Sequence, residues 1–356
     1  MARQRALMLG AGGFGGVWCR EFLPALPGRV KVVALADLDA AALAQSGELL
    51  GIPASRRFAD AETAIATVDA DVAFAAIPPA ARLRVVEAAA ARGLPLLCEK
   101  PVAASWSDAL AILELADRAG MRLAIVQNYR EERRMRTLRR FLREGGLGAL
   151  TSITVRFAAD YTIDTAGGAF RHQVPHAMLY EGAVHHFDAL RDLAAADGSW
   201  VAGTTWNTPW STFANPPCGM FVVAMANGVV GQFEITHITR GHVNDWHREA
   251  YRVEGEHGAV TIDADGIVRH VRHQGEGRER VTELAPVDDG PVGHLRVIGD
   301  FLDWLEGGPV PASEIHDNIR TAALTFAAVE AARSRMVVDV PDPLAGRATP
   351  VPSAGA

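Results

Sequence analysis

The chain has 356 residues, of which 49% are hydrophobic and 22% charged, and its formal net charge is −7 with a sequence pI of about 6.0. This composition is typical of a folded globular protein, and the length predicts two domains of roughly 150 residues or more. An acidic chain offers no basic field to nucleic acid or to an anionic membrane, so we expect a small-molecule partner, no nucleic acid and no membrane.

The three cysteines are odd in number and show no C-x-x-C spacing. They therefore predict buried, reduced thiols rather than a disulfide framework or a structural zinc site, and we expect no metal. The N-terminus lacks the apolar stretch of a signal peptide, and no run approaches the roughly 18 apolar residues of a membrane span. We expect a cytoplasmic protein.

The first element is a strand that leads directly into a glycine motif. The apolar residues 6–9 precede a G-x-G-x-x-G motif at residues 10–15. The first glycine permits a tight turn, the second lets the backbone approach a pyrophosphate, and the third lets the helix pack on the strand. The alternative is a plain strand-to-helix turn. The residues predicted to bind a dinucleotide here are Gly10, Gly12, Gly13, Phe14 and Gly15.

A second apolar run, residues 30–36, ends at Asp37, close to the spacing of about 20 residues expected for a ribose-binding acid. A carboxylate there accepts hydrogen bonds from the ribose hydroxyls and repels the additional phosphate of NADP. The predicted cofactor is therefore NAD, with NADP less favoured. Asp39 is an alternative partner for the ribose.

Apolar runs alternate with amphipathic helical segments up to residue 126. This alternation predicts a doubly wound parallel sheet, and hence a Rossmann dinucleotide-binding domain over residues 1–126. The apolar runs are 6–9, 30–36, 72–77, 95–97 and 123–126, and the clearest helical segments are 82–92 and 106–119.

The pattern changes after a basic helix at residues 131–143, whose flanking acids indicate a solvated face. Alternating segments then predict a C-terminal α+β domain over residues 127–340 with a large, mostly antiparallel open sheet. The fold class is thus α/β, and residues 341–356 read as a flexible tail. The segments are strands at 151–157, 221–225, 229–236, 251–254, 259–263 and 267–272, and helices at 294–306 and 318–334.

One candidate for chemistry is Lys100, which follows the strand-like residues 94–97. Residues just beyond the carboxyl ends of parallel strands line the ligand crevice, so Lys100 is expected to face the cofactor. A cationic nicotinamide and partial desolvation both favour a neutral amine, which would let Lys100 exchange a proton near neutral pH. The alternative is an exposed lysine in a turn.

A second candidate set is Glu181, His185 and Asp188, whose spacing places them on one face of an α-helix. Histidine is the usual general base at physiological pH, and a carboxylate one turn away can orient its ring. The alternatives are a metal site or a capped, polar helix start. The adjacent His186 points elsewhere and cannot share this face.

Several short motifs, taken in order along the chain, resemble those of one family. They are the glycine motif at 10–15, Ile77-Pro78-Pro79, Glu99-Lys100-Pro101, Asn128-Tyr129-Arg130, and His185 followed by Asp188. With them the chain resembles, nearly from end to end, the glucose-fructose oxidoreductase and inositol dehydrogenase family (Gfo/Idh/MocA). The resemblance implies reversible oxidation of a hydroxyl on a sugar, cyclitol or related polyol by a nicotinamide cofactor.

The resemblance also implies a site and an assembly. The open sheet of the second domain commonly forms an oligomer interface in this family, which implies a homo-oligomer, either a dimer or a tetramer, and the Lys100–Pro101 bond is implied to be cis. Lys100 is implied to be the active-site lysine, His185 the acid/base and Glu181 its carboxylate, although many members have aspartate at that last position. Further implied cofactor-binding residues are Ile77, Pro78, Glu99, Lys100 and Asn128, and the expected substrate-binding residues are Lys100, Arg130, Arg171, Glu181 and His185.

The predicted reaction divides proton transfer from charge stabilisation. His185 removes the hydroxyl proton as hydride leaves carbon, Lys100 hydrogen-bonds the developing alkoxide, and Glu181 orients the base. Two other functions remain as alternatives. One is an NAD-dependent glycosidase of the same family, and the other is a non-catalytic regulator that binds nucleotide and sugar.

Overall fold

The computed structural model describes residues 3–162 and 172–347. These residues form two compact units, described separately below. The first unit comprises 3–128, 294–319 and 343–347, and the second comprises 129–162, 172–293 and 320–342. The predicted division was sequential, at 1–126, 127–340 and 341–356, whereas the chain returns to the first unit after residue 293.

Each predicted apolar run overlaps a strand, and the structure adds four strands that were not predicted, at residues 57–58, 198–206, 279–283 and 338–339. The strands are β1 Gln4–Leu9, β2 Val30–Ala36, β3 Arg57–Phe58, β4 Val72–Ala75, β5 Leu96–Cys98, β6 Leu123–Ile125, β7 Leu150–Ala158, β8 Gly198–Trp206, β9 Cys218–Met225, β10 Val230–Thr236, β11 Ala250–Gly255, β12 Gly258–Ile262, β13 Val268–His273, β14 Glu279–Glu283 and β15 Val338–Asp339. The α-helices are α1 Gly13–Val17, α2 Ala40–Leu49, α3 Ala61–Thr67, α4 Arg82–Ala91, α5 Trp106–Ala119, α6 Arg133–Arg143, α7 Val184–Ala194, α8 Gly293–Leu305 and α9 Ile315–Ser334.

The first unit is built on a parallel sheet with strand order β3-β2-β1-β4-β5-β6 among the described residues. This is the Rossmann order, and it confirms the predicted doubly wound architecture. The strands are short apolar runs because both faces of the sheet are covered, and all four residues of β4 are buried.

Helix α8 belongs to the core of the first unit, although it lies far along the chain. Its apolar residues, among them Val297, Ile298 and Phe301, join one buried cluster with Met8 and Phe74 from the strands. The amphipathic pattern of α8 predicted a helix, but the surface that this helix covers is set by contacts between residues far apart in sequence.

The second unit is built on a sheet with order β14-β13-β12-β11-β7-β10-β9-β8-β15 among the described residues. Only the β7–β10 pair is parallel there, which confirms a mostly antiparallel sheet. Helices α7 and α9 contribute to its core, in which Phe187 and Leu324 lie with Phe157, Phe221 and Phe233 from the strands.

All three cysteines lie in the described residues, where they are buried and unpaired, as predicted. Among the described helices, none is long and apolar enough to cross a membrane.

Candidate functional site

The turn between β1 and α1 requires glycine at two positions. Gly10 adopts φ 90°, and a Cβ on it would lie 2.2 Å from the carbonyl oxygen of Ala76. A Cβ on Gly15 would lie 2.3 Å from the carbonyl oxygen of Gly10. Both distances are far below van der Waals contact, so the first and third glycines of the motif allow the tight turn and the close helix–strand packing.

The same turn leaves room for a ligand on its open side. A Cβ built on Gly13 meets no described atom within 4 Å, and no described side chain caps the first turn of α1. The backbone N–H groups of an uncapped helix start attract phosphate oxygens. Phe14 is 47% exposed beside them. The loop therefore has room and free backbone donors for a pyrophosphate, and contacts of Gly12, Gly13 and Phe14 with a dinucleotide stay a prediction.

Asp37 follows β2 directly and is already engaged by the glycine loop. One carboxylate oxygen, Oδ2, accepts hydrogen bonds from the backbone N–H of Ala11 at 2.6 Å and of Gly12 at 2.9 Å. The acid therefore fixes the loop, a role that sequence spacing did not predict. Asp39 instead caps α2, where its Oδ1 accepts from the N–H groups of Ala41 and Ala42.

The residues after β4 and β5 are tied together by a buried arginine. Arg82 donates hydrogen bonds to the carbonyl oxygens of Ile77, Glu99 and Pro101, and its side chain is fully buried. The Lys100–Pro101 bond within this clamp is cis, as the resemblance implied. Lys100 itself is half-buried at the carboxyl edge of the parallel sheet. Pro78 is the N-cap residue of the short 3₁₀ turn Pro79–Ala81, which precedes α4.

Glu99, predicted to bind the cofactor, is bonded within the first unit. Its Oε1 accepts from Trp18 Nε1 at 2.9 Å and lies 3.1 Å from His294 Nε2. Burial would raise the pKa of Glu99, but the contact with His294 and the charge of Lys100 hold that pKa below its usual range. Asn128, the last predicted cofactor residue, is buried at the end of this unit.

In the second unit, Arg130 forms a buried bidentate ion pair. Its Nε and Nη2 donate to the two carboxylate oxygens of Asp188 at 2.5 and 2.7 Å, and Thr321 donates to Asp188 at 2.8 Å. Asp188, which the helical spacing placed on a functional face, is therefore a fully buried link between α7, α9 and the segment before α6. Arg171, another predicted substrate residue, lies outside the described residues.

His185 lies in the first turn of α7 and is only 5% exposed. Its ring stacks on that of Tyr129, with centroids 4.4 Å apart and planes at 21°. The next residue, His186, is fully buried and its Nδ1 lies 3.1 Å from the carbonyl oxygen of Gly182. The two adjacent rings thus have different environments, as the helical geometry required.

Glu181 lies in a π-helical turn, Met178–Ala183, that runs directly into α7. The wider i→i+5 turn means that residues four apart no longer lie directly above one another, so the predicted common face of Glu181 and His185 does not follow from α-helical geometry. Glu181 is half-buried. Single π-helical turns are frequent at functional sites in proteins.

Sequence reasoning missed a cluster of charged and aromatic residues next to His185. Tyr129 Oη donates to Glu249 Oε1 at 2.8 Å, and Arg134 donates to both Oε2 and the backbone carbonyl of Glu249. His247 stacks on Tyr129 at 4.9 Å. No local spacing connects Glu249 with residues 129 and 134, which the structure brings together. Among the described residues, no group of three or more histidine, cysteine and acidic side chains could hold a metal ion.

The fold and the glycine loop together define a dinucleotide-binding protein of the Rossmann class. Residues 4–127 match the family model described as "Oxidoreductase family, NAD-binding Rossmann fold", and residues 135–261 match the GFO/IDH/MocA C-terminal domain. The chain belongs to the GFO/IDH/MocA family, as the resemblance predicted, and is an NAD-binding dehydrogenase of the class that acts on CH–OH groups.

Relatives extend this likeness over nearly the whole chain. An uncharacterized protein, y4oX, of Sinorhizobium fredii is 34% identical over 94% of this chain and 95% of its own. A D-apiose dehydrogenase of Paraburkholderia graminis is 23% identical over 87% of this chain and 83% of its own. Among solved structures, an oxidoreductase from Agrobacterium radiobacter in complex with NAD+, L-tartaric acid and magnesium has the same fold, with a TM-score of 0.84 at 20% identity over 95% of this chain and 99% of its own.

Proposed function

We propose that this dehydrogenase transfers a hydride between NAD and a hydroxyl or carbonyl group of a sugar, cyclitol or related polyol. The observation that supports it most directly is the buried His185 at the start of α7, stacked on an aromatic ring that is itself anchored to a carboxylate. The D-apiose dehydrogenase among the relatives supports the same class of substrate.

Each proposed catalytic residue has a separate task. NAD, when bound, supplies the hydride acceptor. His185 takes the hydroxyl proton, Lys100 donates a hydrogen bond to the developing alkoxide, and Glu181 orients the base. The Arg82 clamp supports Lys100 by fixing the backbone on both sides of it. Histidine serves here because its neutral ring can accept a proton near physiological pH.

The proposed substrate contacts are those of Lys100, Glu181 and His185. Arg130 is held by Asp188, and we assign to it the anchoring of α7, so that a contact between Arg130 and substrate stays a prediction. The same holds for the cofactor contacts of Ile77, Pro78, Glu99 and Asn128.

The test is the rise in NADH absorbance when the purified protein and NAD are mixed with a panel of aldoses, cyclitols and glycosides that includes D-apiose. We expect substrate-dependent reduction, and we expect Lys100→Ala and His185→Ala each to lower kcat about 100-fold or more. Two variants with unchanged turnover would contradict the assignment. Release of a free sugar from a glycoside without NADH accumulation would contradict the proposed dehydrogenase function and would indicate the NAD-dependent glycosidase instead.

We propose that the preference for NAD over NADP depends on Asp37. Asp37→Asn keeps a side-chain oxygen for the N–H groups of Ala11 and Gly12 but removes the negative charge that repels a 2′-phosphate. The ratio of kcat/KM for NAD to that for NADP should therefore fall about tenfold in the variant. A wild-type enzyme that prefers NADP would refute this role.

A further inference from the structure

The His185 ring is in contact with the ring of Tyr129, whose own position is fixed by a hydrogen bond at its hydroxyl. Tyr129 is 2% exposed and its ring stacks with two histidines, with ring centroids 4.4 Å from His185 and 4.9 Å from His247. The Tyr129 and His185 rings are in stacking contact, with planes only 21° from parallel. A Tyr129 ring that cannot move therefore restricts rotation of the His185 imidazole.

Glu249 anchors this stack through the hydroxyl of Tyr129. Its Oε1 accepts from Tyr129 Oη at 2.8 Å and from the backbone N–H of His247 at 3.1 Å, while Oε2 accepts from Arg134. His186 Nε2 also lies 3.6 Å from Oε1. A fully buried carboxylate with so many donors has one available orientation, and that orientation determines where the phenol ring lies.

The ionisation states of Tyr129 and Glu249 determine which of the two donates the hydrogen bond and which accepts it. Burial would raise the pKa of Glu249, but the contacts with His186 and Arg134 lower it to about 2, so Glu249 is an anion at any working pH. Burial and the neighbouring carboxylate Glu249 raise the pKa of Tyr129 well above its usual range, so its hydroxyl stays protonated. Tyr129 therefore donates and does not itself exchange a proton during turnover.

We propose that Tyr129 and Glu249 are positioning residues for the general base: the Glu249 carboxylate holds the Tyr129 ring, and that ring holds the imidazole of His185 in its productive orientation. This inference rests on the proposed function, which gives His185 the proton-transfer role. The Glu249 carboxylate, bonded to the Tyr129 hydroxyl, also makes the face of the Tyr129 ring more electron-rich. An electron-rich ring face favours a positive charge on the His185 imidazole stacked against it.

The charge on His185 is also subject to groups from every element packed around it. These are Glu181, His186 and Asp188 on its own helical segment, Tyr129, Glu132 and Arg134 from α6 and the residues before it, and His247 and Glu249 from the segment before β11. Arg134 is paired with both Glu132 and Glu249, so replacing Glu249 still leaves this arginine one carboxylate partner.

The first experiment removes only the anchoring hydroxyl. Tyr129→Phe keeps the stacked ring, and we expect kcat to fall about 5- to 20-fold with KM within about twofold, because a misoriented base affects the chemical step rather than substrate binding. The matched control is Tyr251→Phe. Tyr251 lies in the same cluster, with the Arg134 guanidinium 5.9 Å from its ring, but its buried hydroxyl has no hydrogen-bond partner among the described residues. The control should keep the wild-type kcat.

The second experiment removes the charge and keeps the shape. Glu249→Gln retains an oxygen for the Tyr129 hydroxyl, and the acid limb of the kcat/KM profile should move to lower pH by about 0.5 to 1 unit, since the imidazolium loses a nearby anion. The ¹³Cε1 resonance of His185, identified among the 12 histidines by its absence in His185→Gln, should show the same downward shift of its titration midpoint without any substrate.

The outcomes separate the inference from the proposed function. Wild-type kcat in Tyr129→Phe, or an unmoved His185 titration in Glu249→Gln, would overturn the positioning role even if His185→Ala is inactive. A fully active His185→Ala would instead overturn the proposed function, and the inference with it. Lower kcat in Tyr129→Phe, a shifted His185 titration in Glu249→Gln and an unaffected Tyr251→Phe would support the inference.

Discussion

Arg82 shows how a single buried charge can be stabilised without a carboxylate bonded to it. Its guanidinium donates to three backbone carbonyl groups, those of Ile77, Glu99 and Pro101, and burial lowers its pKa from the usual value. A guanidinium remains charged in proteins, so its hydrogen bonds are charge-assisted and strong. These hydrogen bonds offset the free-energy cost of desolvating the Arg82 guanidinium. They also fix the two loops that border the predicted cofactor site.

Replacement of this side chain should destabilise the protein severely. Arg82→Met leaves three carbonyl oxygens without their donor, and we expect the free energy of unfolding to fall by about 3 to 5 kcal/mol. Urea denaturation measures this loss. Arg84→Met is the matched control, since Arg84 is in the same helix but 74% exposed, and its effect should stay within about 0.5 kcal/mol. Equal effects of the two substitutions would show that the buried bonds contribute little.

The candidate site was only partly predictable at this scale. The positions of the glycine loop, Asp37 and Lys100 at the carboxyl edge of the parallel sheet were predictable from the strand-to-helix pattern, while their contacts with cofactor and substrate stay predictions. Glu249 and the partnership of Arg130 with Asp188 were not, since each depends on residues at least 50 positions apart that no local spacing connects. The role of His185 itself stays a prediction until the enzyme is assayed.

At the scale of elements, the start of α9 contains a pH-sensitive contact within the first unit. His316 Nδ1 lies 2.8 Å from Glu314, and its Nε2 lies 2.7 Å from Asp117 on α5. Hydrogen bonding to Glu314 raises the pKa of His316 above its usual value despite partial burial. A raised folded-state pKa means that this contact stabilises the fold fully below the unfolded value and loses that contribution as pH rises through the folded value.

Replacement of His316 should therefore lower the stability of the fold only at the acid end of the pH range. We expect His316→Gln to have a lower Tm than the wild type at about pH 6, and a Tm difference that shrinks towards zero by about pH 9. Thermal unfolding at several pH values measures this difference. His273→Gln serves as control, because His273 is exposed on β13. A Tm difference that is constant over the pH range would exclude titration of His316 as the cause.

Strands and helices were predictable where burial imposes a pattern. The parallel strands are apolar because both of their faces are covered, and α5 begins and ends at the predicted residues. Strand β14 was missed because all five of its residues are exposed, so that it has no hydrophobic alternation. The π-helical turn before α7 was missed because the apolar spacing of one such turn does not differ visibly from that of an α-helix.

At the scale of the whole molecule, the outer face of the second sheet should form a subunit interface. Five large apolar side chains are exposed on this face of the adjacent strands β8, β9 and β10, among the polar residues Thr204, Gln232 and Glu234. Exposed apolar surface on a sheet is typical of association sites. The members of this surface are Trp200, Trp206, Met220, Val222 and Val230. We propose a homo-oligomer assembled through it.

Light scattering in solution tests this assembly. The wild type should have a mass that is a multiple of 38.0 kDa, and Val222→Glu should shift it towards the monomer, because a buried, unpaired carboxylate opposes association. Val310→Glu introduces the same charge at an exposed residue of the first unit and should leave the mass unchanged. A monomeric wild type would refute the proposal.

The fold class could be predicted for the whole molecule, but the path of the chain through it could not. Alternating apolar and helical segments indicate a parallel sheet, whereas the return of residues 294–319 to the first unit depends on which surface α8 covers.

That return has a consequence for synthesis. The N-terminal strands leave the ribosome first, yet the core they form includes Val297, Phe301 and Leu302, which are translated only after the entire central sheet. Domains that are contiguous in sequence can fold as they emerge, but this one must wait with part of its apolar surface uncovered. A nascent chain arrested before residue 294 should therefore be the species most dependent on chaperones.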